Sequence, residues 1–162
     1  NVLELSAFQN SEFDSLQRVL IEQEDRYNVI ADPDNSSMRG VLLFTPVRGT
    51  VSSSFNSKTG HYGVDIVSPN KNETIKAVLD GVVIFASYTS DGGKMIQVQH
   101  AGGIISVYKH NSTLLKNVGD DVKAGEPIAI IGNSGEETDG PHLHFEIWQN
   151  GRALDPQKYL VF

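Results

Sequence analysis

Cysteine is absent from the 162 residues. That excludes disulfide scaffolds, thiolate metal sites and cysteine nucleophiles together, and leaves any metal to imidazole and carboxylate groups. The absence also suits an oxidising envelope compartment. No apolar run approaches the roughly 20 residues of a membrane-spanning helix. Positive charge is short as well: 13 Lys and Arg stand against 20 Asp and Glu, a net charge of −7. A nucleic-acid binder needs a basic surface to displace counterions, so the balance argues against one. No repeat of fixed period and no low-complexity tract is found. What is present is 39% hydrophobic and 20% charged residues, the balance of a globular chain with one domain and a short appendage. The first residue is Asn1, from which we expect a piece of a longer precursor, with room for a leader or membrane anchor ahead of it.

The chain divides near residue 40. Residues 1–40 hold eight acids against Arg18, Arg26 and Arg39, which leaves −5 there and only −2 for the remainder. Within this part Phe13, Leu16, Leu20, Gln23 and Tyr27 recur at three- and four-residue steps. That spacing predicts an amphipathic helix over 11–29, with Ser11 as its N-cap and Pro33 stopping it. The helix is read as the end of a coiled-coil stalk or a cap on the following domain, and its stripe offers self-association of two copies. Asp32, Asp34 and Asn35 follow it, and an oxygen from one of them reaching an open metal position is a route to latency.

From residue 41 to 162 the pattern becomes short β-branched runs separated by turn residues. Strands are expected at Thr50–Ser54, Ile75–Leu79, Val82–Tyr88, Lys94–His100, Ile104–His110, Pro127–Gly132 and His142–Gln149, with tight turns at Asp80-Gly81, Gly102-Gly103 and Asn150-Gly151. The expected fold is mainly β, an antiparallel β-sandwich or open barrel, with the short N-terminal helix in front.

All five histidines lie in this β region. In Pro141-His142-Leu143-His144-Phe145-Glu146 two of them are two positions apart, so a strand turns both to one face about 6.6 Å apart and turns Leu143 and Phe145 to the core. One imidazole can bind a metal while the other reaches only its bound water. His61 and Asp65 would be roughly 13 Å apart in a straight strand, too far for one ion. Gly63 is expected to permit the bend that brings them together. Two His and one Asp with a free fourth position is the donor set of a catalytic zinc.

The stretch from about Gly49 to Leu160 resembles the M23 family, the lysostaphin- or LytM-type zinc metallopeptidases of bacterial cell walls. The segments that carry the likeness are Gly60-His61-Tyr62-Gly63-Val64-Asp65, Ala77 to Val83, Val98 to Gly103, Tyr108-Lys109-His110, Val118 to Gly125, and Gly140 to Glu146. The resemblance implies an open β fold of the LytM type and a single zinc ion (Zn2+) held by His61, Asp65 and His144. It gives His110 and His142 catalytic roles without metal ligation, makes His100 structural, and implies action on peptidoglycan stem peptides at the bacterial envelope. Some relatives have lost zinc ligands and serve as activators of other wall hydrolases, which makes a catalytically silent activator the alternative reading. Two departures fall on the expected groove: Asn56-Ser57-Lys58 where the family has Gly and then Arg, and Tyr108-Lys109-His110-Asn111 where it has YAHL. The run Val118 to Gly125 also resembles the hairpin of lipoyl and biotinyl carriers, but Lys94 and Lys116 sit in no carrier motif.

Overall fold

The computed structural model describes residues 43–132 and 141–160. The helix expected over 11–29, its self-association, and Asp32, Asp34 and Asn35 lie outside the described residues, as does Gly140 of the histidine motif. Among the described residues ten strands form in chain order: β1 (Thr50–Ser53), β2 (Val64–Val67), β3 (Thr74–Lys76), β4 (Gly81–Thr89), β5 (Gly93–His100), β6 (Ile104–Leu114), β7 (Asp121–Val122), β8 (Pro127–Ile131), β9 (His142–Gln149) and β10 (Arg152–Leu154). They make one sheet in the order β1-β2-β9-β6-β5-β4-β7, with β10 beside β9, and β8 joining β3 to β6. Every pairing is antiparallel. The described residues are thus mainly β, as expected; their helical elements are two short 3-10 turns, Ser57–Thr59 and Pro156–Lys158.

Alternation of apolar and polar residues decides which way each strand faces. Leu143, Phe145 and Ile147 of β9, Val64 and Ile66 of β2, Ile96 and Val98 of β5, and Tyr108 of β6 are completely buried in the main core. The rings of Tyr108 and Phe145 pack 5.3 Å apart, and the Tyr108 hydroxyl accepts the Val78 backbone N–H at 3.2 Å. Each such side chain contributes about 1.5–3 kcal/mol by leaving water. On the other face Met95, Ile105 and Val107 form a smaller cluster against Ile84, Phe85 and Trp148. The intervening residues of β9, His142, His144, Glu146 and Trp148, share that second face.

Strand β6 organises the sheet. Its residues Ile104 to Lys109 pair with β9, whereas Asn111 to Leu114 pair with β8. The change of neighbour falls on His110, whose φ of 68° lies in the left-handed region. Opposite it the register with β5 slips between Lys94 and Ile96. A bulge of this kind bends a strand and re-aims a side chain. Gly132 is required here: a Cβ on it would come within 1.8 Å of the His110 carbonyl oxygen.

Two expectations are corrected. The strand expected over Ile75–Leu79 ends at Lys76. Beyond it the Ala77 and Val78 backbones bond instead to the loops at Phe44, Gly125 and Glu126. Asp80-Gly81 is accordingly not a hairpin turn, because β3 pairs with β8 and β4 with β5 and β7. The other two turns form as expected. Ala101, Gly102 and Gly103 (the glycines at φ 82° and 73°) link β5 to β6, and Asn150 and Gly151 (φ 50° and 79°) link β9 to β10 with the positive φ pair that a two-residue hairpin demands.

Candidate functional site

Strands β2 and β9 set Asp65 directly opposite His144. Asp65 Oδ1 lies 2.7 Å from His144 Nδ1, and Asp65 Oδ2 lies 3.3 Å from His61 Nε2. The 3-10 turn Ser57–Thr59 delivers His61. The Asn56 side chain caps the turn, Gly60 closes it at φ 80°, and the Asn56 and His61 backbones then pair. The chain turns at Gly60 before His61 and bends again at Gly63, as expected, there without a positive φ. Gly63 also has a second constraint: a Cβ there would come within 2.4 Å of the Phe145 carbonyl and 3.0 Å of His144 Nε2. Close approach of β2 to β9 is what it permits.

The cluster has the chemistry of a metal site. His61 Nδ1 lies 2.7 Å from the Ser54 carbonyl, which can only accept, so Nδ1 carries the proton and Nε2 presents its lone pair to the cluster. That Nε2 is buried and makes no hydrogen bond, an orphan of the kind a bound ion accounts for. One donor atom each from His61, Asp65 and His144 lie within 4.8 Å of one another. Bonds of about 2 Å in tetrahedral array need donors about 3.3 Å apart, so a small inward adjustment seats an ion.

Behind the cluster stands Glu146, to which sequence reasoning assigned no role. Its Oε2 lies 2.7 Å from His144 Nε2 and 3.2 Å from Lys109 Nζ, and its Oε1 accepts from Trp148 Nε1 at 2.8 Å. A carboxylate on the far nitrogen of a ligating imidazole fixes its orientation and raises its basicity. Period-2 alternation already placed Glu146 on the face of His142 and His144, so the signal was present. The Lys109 contact was not legible, because it depends on the register of β6 against β9.

Electrostatics follow from these contacts. Burial pushes the Asp65 carboxyl up, but the hydrogen bond to His144 and the charges of His144, His61 and His142 outweigh it and hold it below its ordinary value. Burial disfavours the His144 cation, yet its bonds to Asp65 and Glu146 prevail and raise it. Glu146 is lowered against its own burial by His144, Lys109 and Trp148.

His110 and His142 border the cluster, their rings 5.6 Å apart, with His110 also 6.1 Å from the His144 ring. His142 Nδ1 is buried without a partner. His110 is lowered by burial first and then by His144 and His142, which favours its neutral form. All five expected residues thus meet in one place. His100 does not join them: it is buried, donates from Nδ1 to the Asp80 carbonyl at 2.9 Å, and accepts at Nε2 from the Ser106 hydroxyl at 2.7 Å.

An antiparallel β protein with a two-His, one-Asp cluster flanked by two further histidines defines a class of metallopeptidase-like domain. Residues 59–156 match peptidase family M23, and the chain belongs to that family. Over 117 residues it is 38% identical to the murein hydrolase activator NlpD of Escherichia coli, a match covering 71% of this chain and 30% of the relative. It spans less than a third of that relative's length. Among solved structures it is similar to a zinc-containing peptidase from Vibrio cholerae (30% identity, TM-score 0.60, 72% of this chain and 38% of that one). It is also similar to the catalytic domain of the antimicrobial peptidase lysostaphin from Staphylococcus simulans (32% identity, TM-score 0.55, 69% of this chain and 88% of that one).

Proposed function

We propose that residues 41–162 form a zinc-dependent endopeptidase domain that hydrolyses the peptide cross-links of peptidoglycan in the bacterial cell envelope. The observation that carries this reading is the juxtaposition of the His61–Asp65–His144 cluster with His110 and His142. His61 through Nε2, Asp65 through its carboxylate and His144 through Nδ1 would hold the ion. Zinc bound there lowers the pKa of water and polarises a peptide carbonyl. His110 and His142 divide the remaining work. One takes the proton of the attacking water and passes it to the leaving amine, and the other donates a hydrogen bond to the oxyanion of the substrate. Glu146 holds the His144 ring while these groups act.

The test is mass spectrometry of fragments released from defined cross-linked muropeptides, run beside zinc analysis of the purified protein. New amino and carboxyl ends at a cross-link are expected, with about one zinc per chain. Replacing Asp65 with Ala is expected to remove most of the metal and the cleavage together, because two imidazoles alone leave charge and coordination incomplete. Full zinc in that variant would overturn the ligand assignment.

The relatives named murein hydrolase activators favour a second reading, an activator of another wall hydrolase. A zinc-loaded chain that cuts no muropeptide but stimulates a separate wall hydrolase would establish it in place of the first.

A further inference from the structure

The face of β9 that carries His142, His144 and Glu146 continues to Trp148. There a pocket of about 670 Å³ opens between Trp148, Tyr62 and Phe55, with Ser57 and Ala153 also in its lining. The Tyr62 and Trp148 rings lie 6.0 Å apart at 46°, and Tyr62 is 42% exposed. Both rings are tied to the metal cluster. Tyr62 follows His61 in the chain, and the Trp148 indole is held by Glu146, the carboxylate that also holds His144. One carboxylate thus bridges the cluster and the pocket, a separation that a few residues of extended peptide span.

The pocket offers rings and hydroxyls but no charge. Among the described residues that line it Arg152 alone is charged. The register sets Arg152 against Gln149 and Ala153 against Trp148, so the Arg152 side chain leaves on the opposite face of the sheet. The Trp148 N–H is engaged by Glu146 Oε1 at 2.8 Å, and the indole presents its ring face and not a donor. Glu146 is itself engaged by His144 and Lys109. An anion therefore finds no partner here, and a cation none beyond the ring faces. A neutral ligand with an apolar face and a polar rim fits better: the rings pack on its face while the Tyr62 and Ser57 hydroxyls stand beside them. A pyranose has that form, with C–H groups on its face and hydroxyl or amide groups around its rim.

We propose that the Tyr62–Trp148 pocket is a carbohydrate subsite, which stacks an N-acetylated amino-sugar ring of the glycan strand from which the cleaved peptide branches. The assignment rests on the endopeptidase reading for the identity of the polymer, in which sugar and cross-link stand a few residues apart. Its ligand chemistry is measurable without cleavage. It makes a cross-link still attached to glycan a better ligand than the free peptide.

Trp148 is the single tryptophan of the chain, so tryptophan emission reports on this pocket alone. The experiment uses zinc-loaded protein and two charge-matched ligands: a cross-linked muropeptide with its disaccharides, and the same peptide with acetyl groups in place of the sugars. Kd is read from emission and from calorimetry for wild type, Tyr62→Ala and Tyr62→Phe, and cleavage is followed by mass spectrometry. Wild type is expected to bind the glycan-bearing ligand roughly tenfold more tightly, the scale of one ring-stacking contact, with a saturable change in emission. In Tyr62→Ala that preference falls to about one, and Tyr62→Phe restores it. Equal Kd values in wild type, or a preference that Tyr62→Ala leaves intact, overturn the subsite. So does an emission change that the sugar-free peptide produces as fully, which would make a peptide side chain the occupant. A preference for the glycan-bearing ligand without cleavage of either keeps the subsite and sinks the endopeptidase reading instead.

Discussion

At the scale of single residues, the site is a chain of carboxylates and imidazoles in which each partner fixes the next. Glu146, 8% exposed, joins His144 of the cluster to Lys109 and Trp148. Replacing it with Gln keeps the shape but removes the charge that raises His144 basicity. Metal affinity in Glu146→Gln, read by competition with a chelator, is expected to fall about 10–100-fold; an unaltered affinity would show that Glu146 only fills space. His110→Ala and His142→Ala test a different role. Each is expected to keep its zinc and to lose activity by about a hundredfold or more, as loss of proton transfer or oxyanion stabilisation requires. Retained zinc in His144→Ala with lost zinc in His142→Ala would reverse the roles assigned to these two.

At the scale of elements, the decisive contact is β2 against β9. It sets Asp65 opposite His144, and the Gly63 backbone just ahead of β2 approaches β9 where a methyl group would come within 2.4 Å of the Phe145 carbonyl. Gly63→Ala must push the two strands apart. The expected cost is about 1–3 kcal/mol, as for other overpacked sites, seen as a Tm several degrees lower, together with weaker metal binding because Asp65 and His144 separate. An unchanged Tm and metal affinity would mean that the strands slide without consequence. The same contact shows what could be read from the chain. Period-2 alternation placed His142 and His144 on one face and Leu143 and Phe145 in the core, because that is a local property of a strand. The bend at Gly63 was legible but its close approach to β9 was not, because a steric need created by a strand some 80 positions later in the chain leaves no local mark. Lys109 and the departure of Ala77 and Val78 from strand form have the same cause. Each depends on a partner fixed by non-local register: Glu146 for Lys109, and the Gly125 and Glu126 loop for Ala77.

At the scale of the whole molecule, β5 and β6 carry the sheet, and one titratable group is sealed between them. His100 is 2% exposed, and burial pushes its pKa down from 6.5 to about 4. Its hydrogen bonds fix the neutral form, since the Asp80 carbonyl takes the Nδ1 proton and Ser106 donates to Nε2. The folded chain therefore binds this proton less readily than the unfolded chain. Stability is fully present above pH 6.5, declines as the pH falls from 6.5 toward 4, and flattens below that. The depression corresponds to about 3 kcal/mol across the window. His100→Asn retains a donor for the Asp80 carbonyl but cannot take up a proton. Denaturant unfolding of wild type and His100→Asn, compared at a series of pH values between 8 and 4, isolates this group, because metal loss and carboxylate titration are common to both chains. The stability difference between them is expected to shift by about 3 kcal/mol in favour of the variant as the pH falls. A difference that stays constant over the whole range would mean that His100 is protonated as easily in the folded chain as in the unfolded one, and that its burial is not what sets its charge.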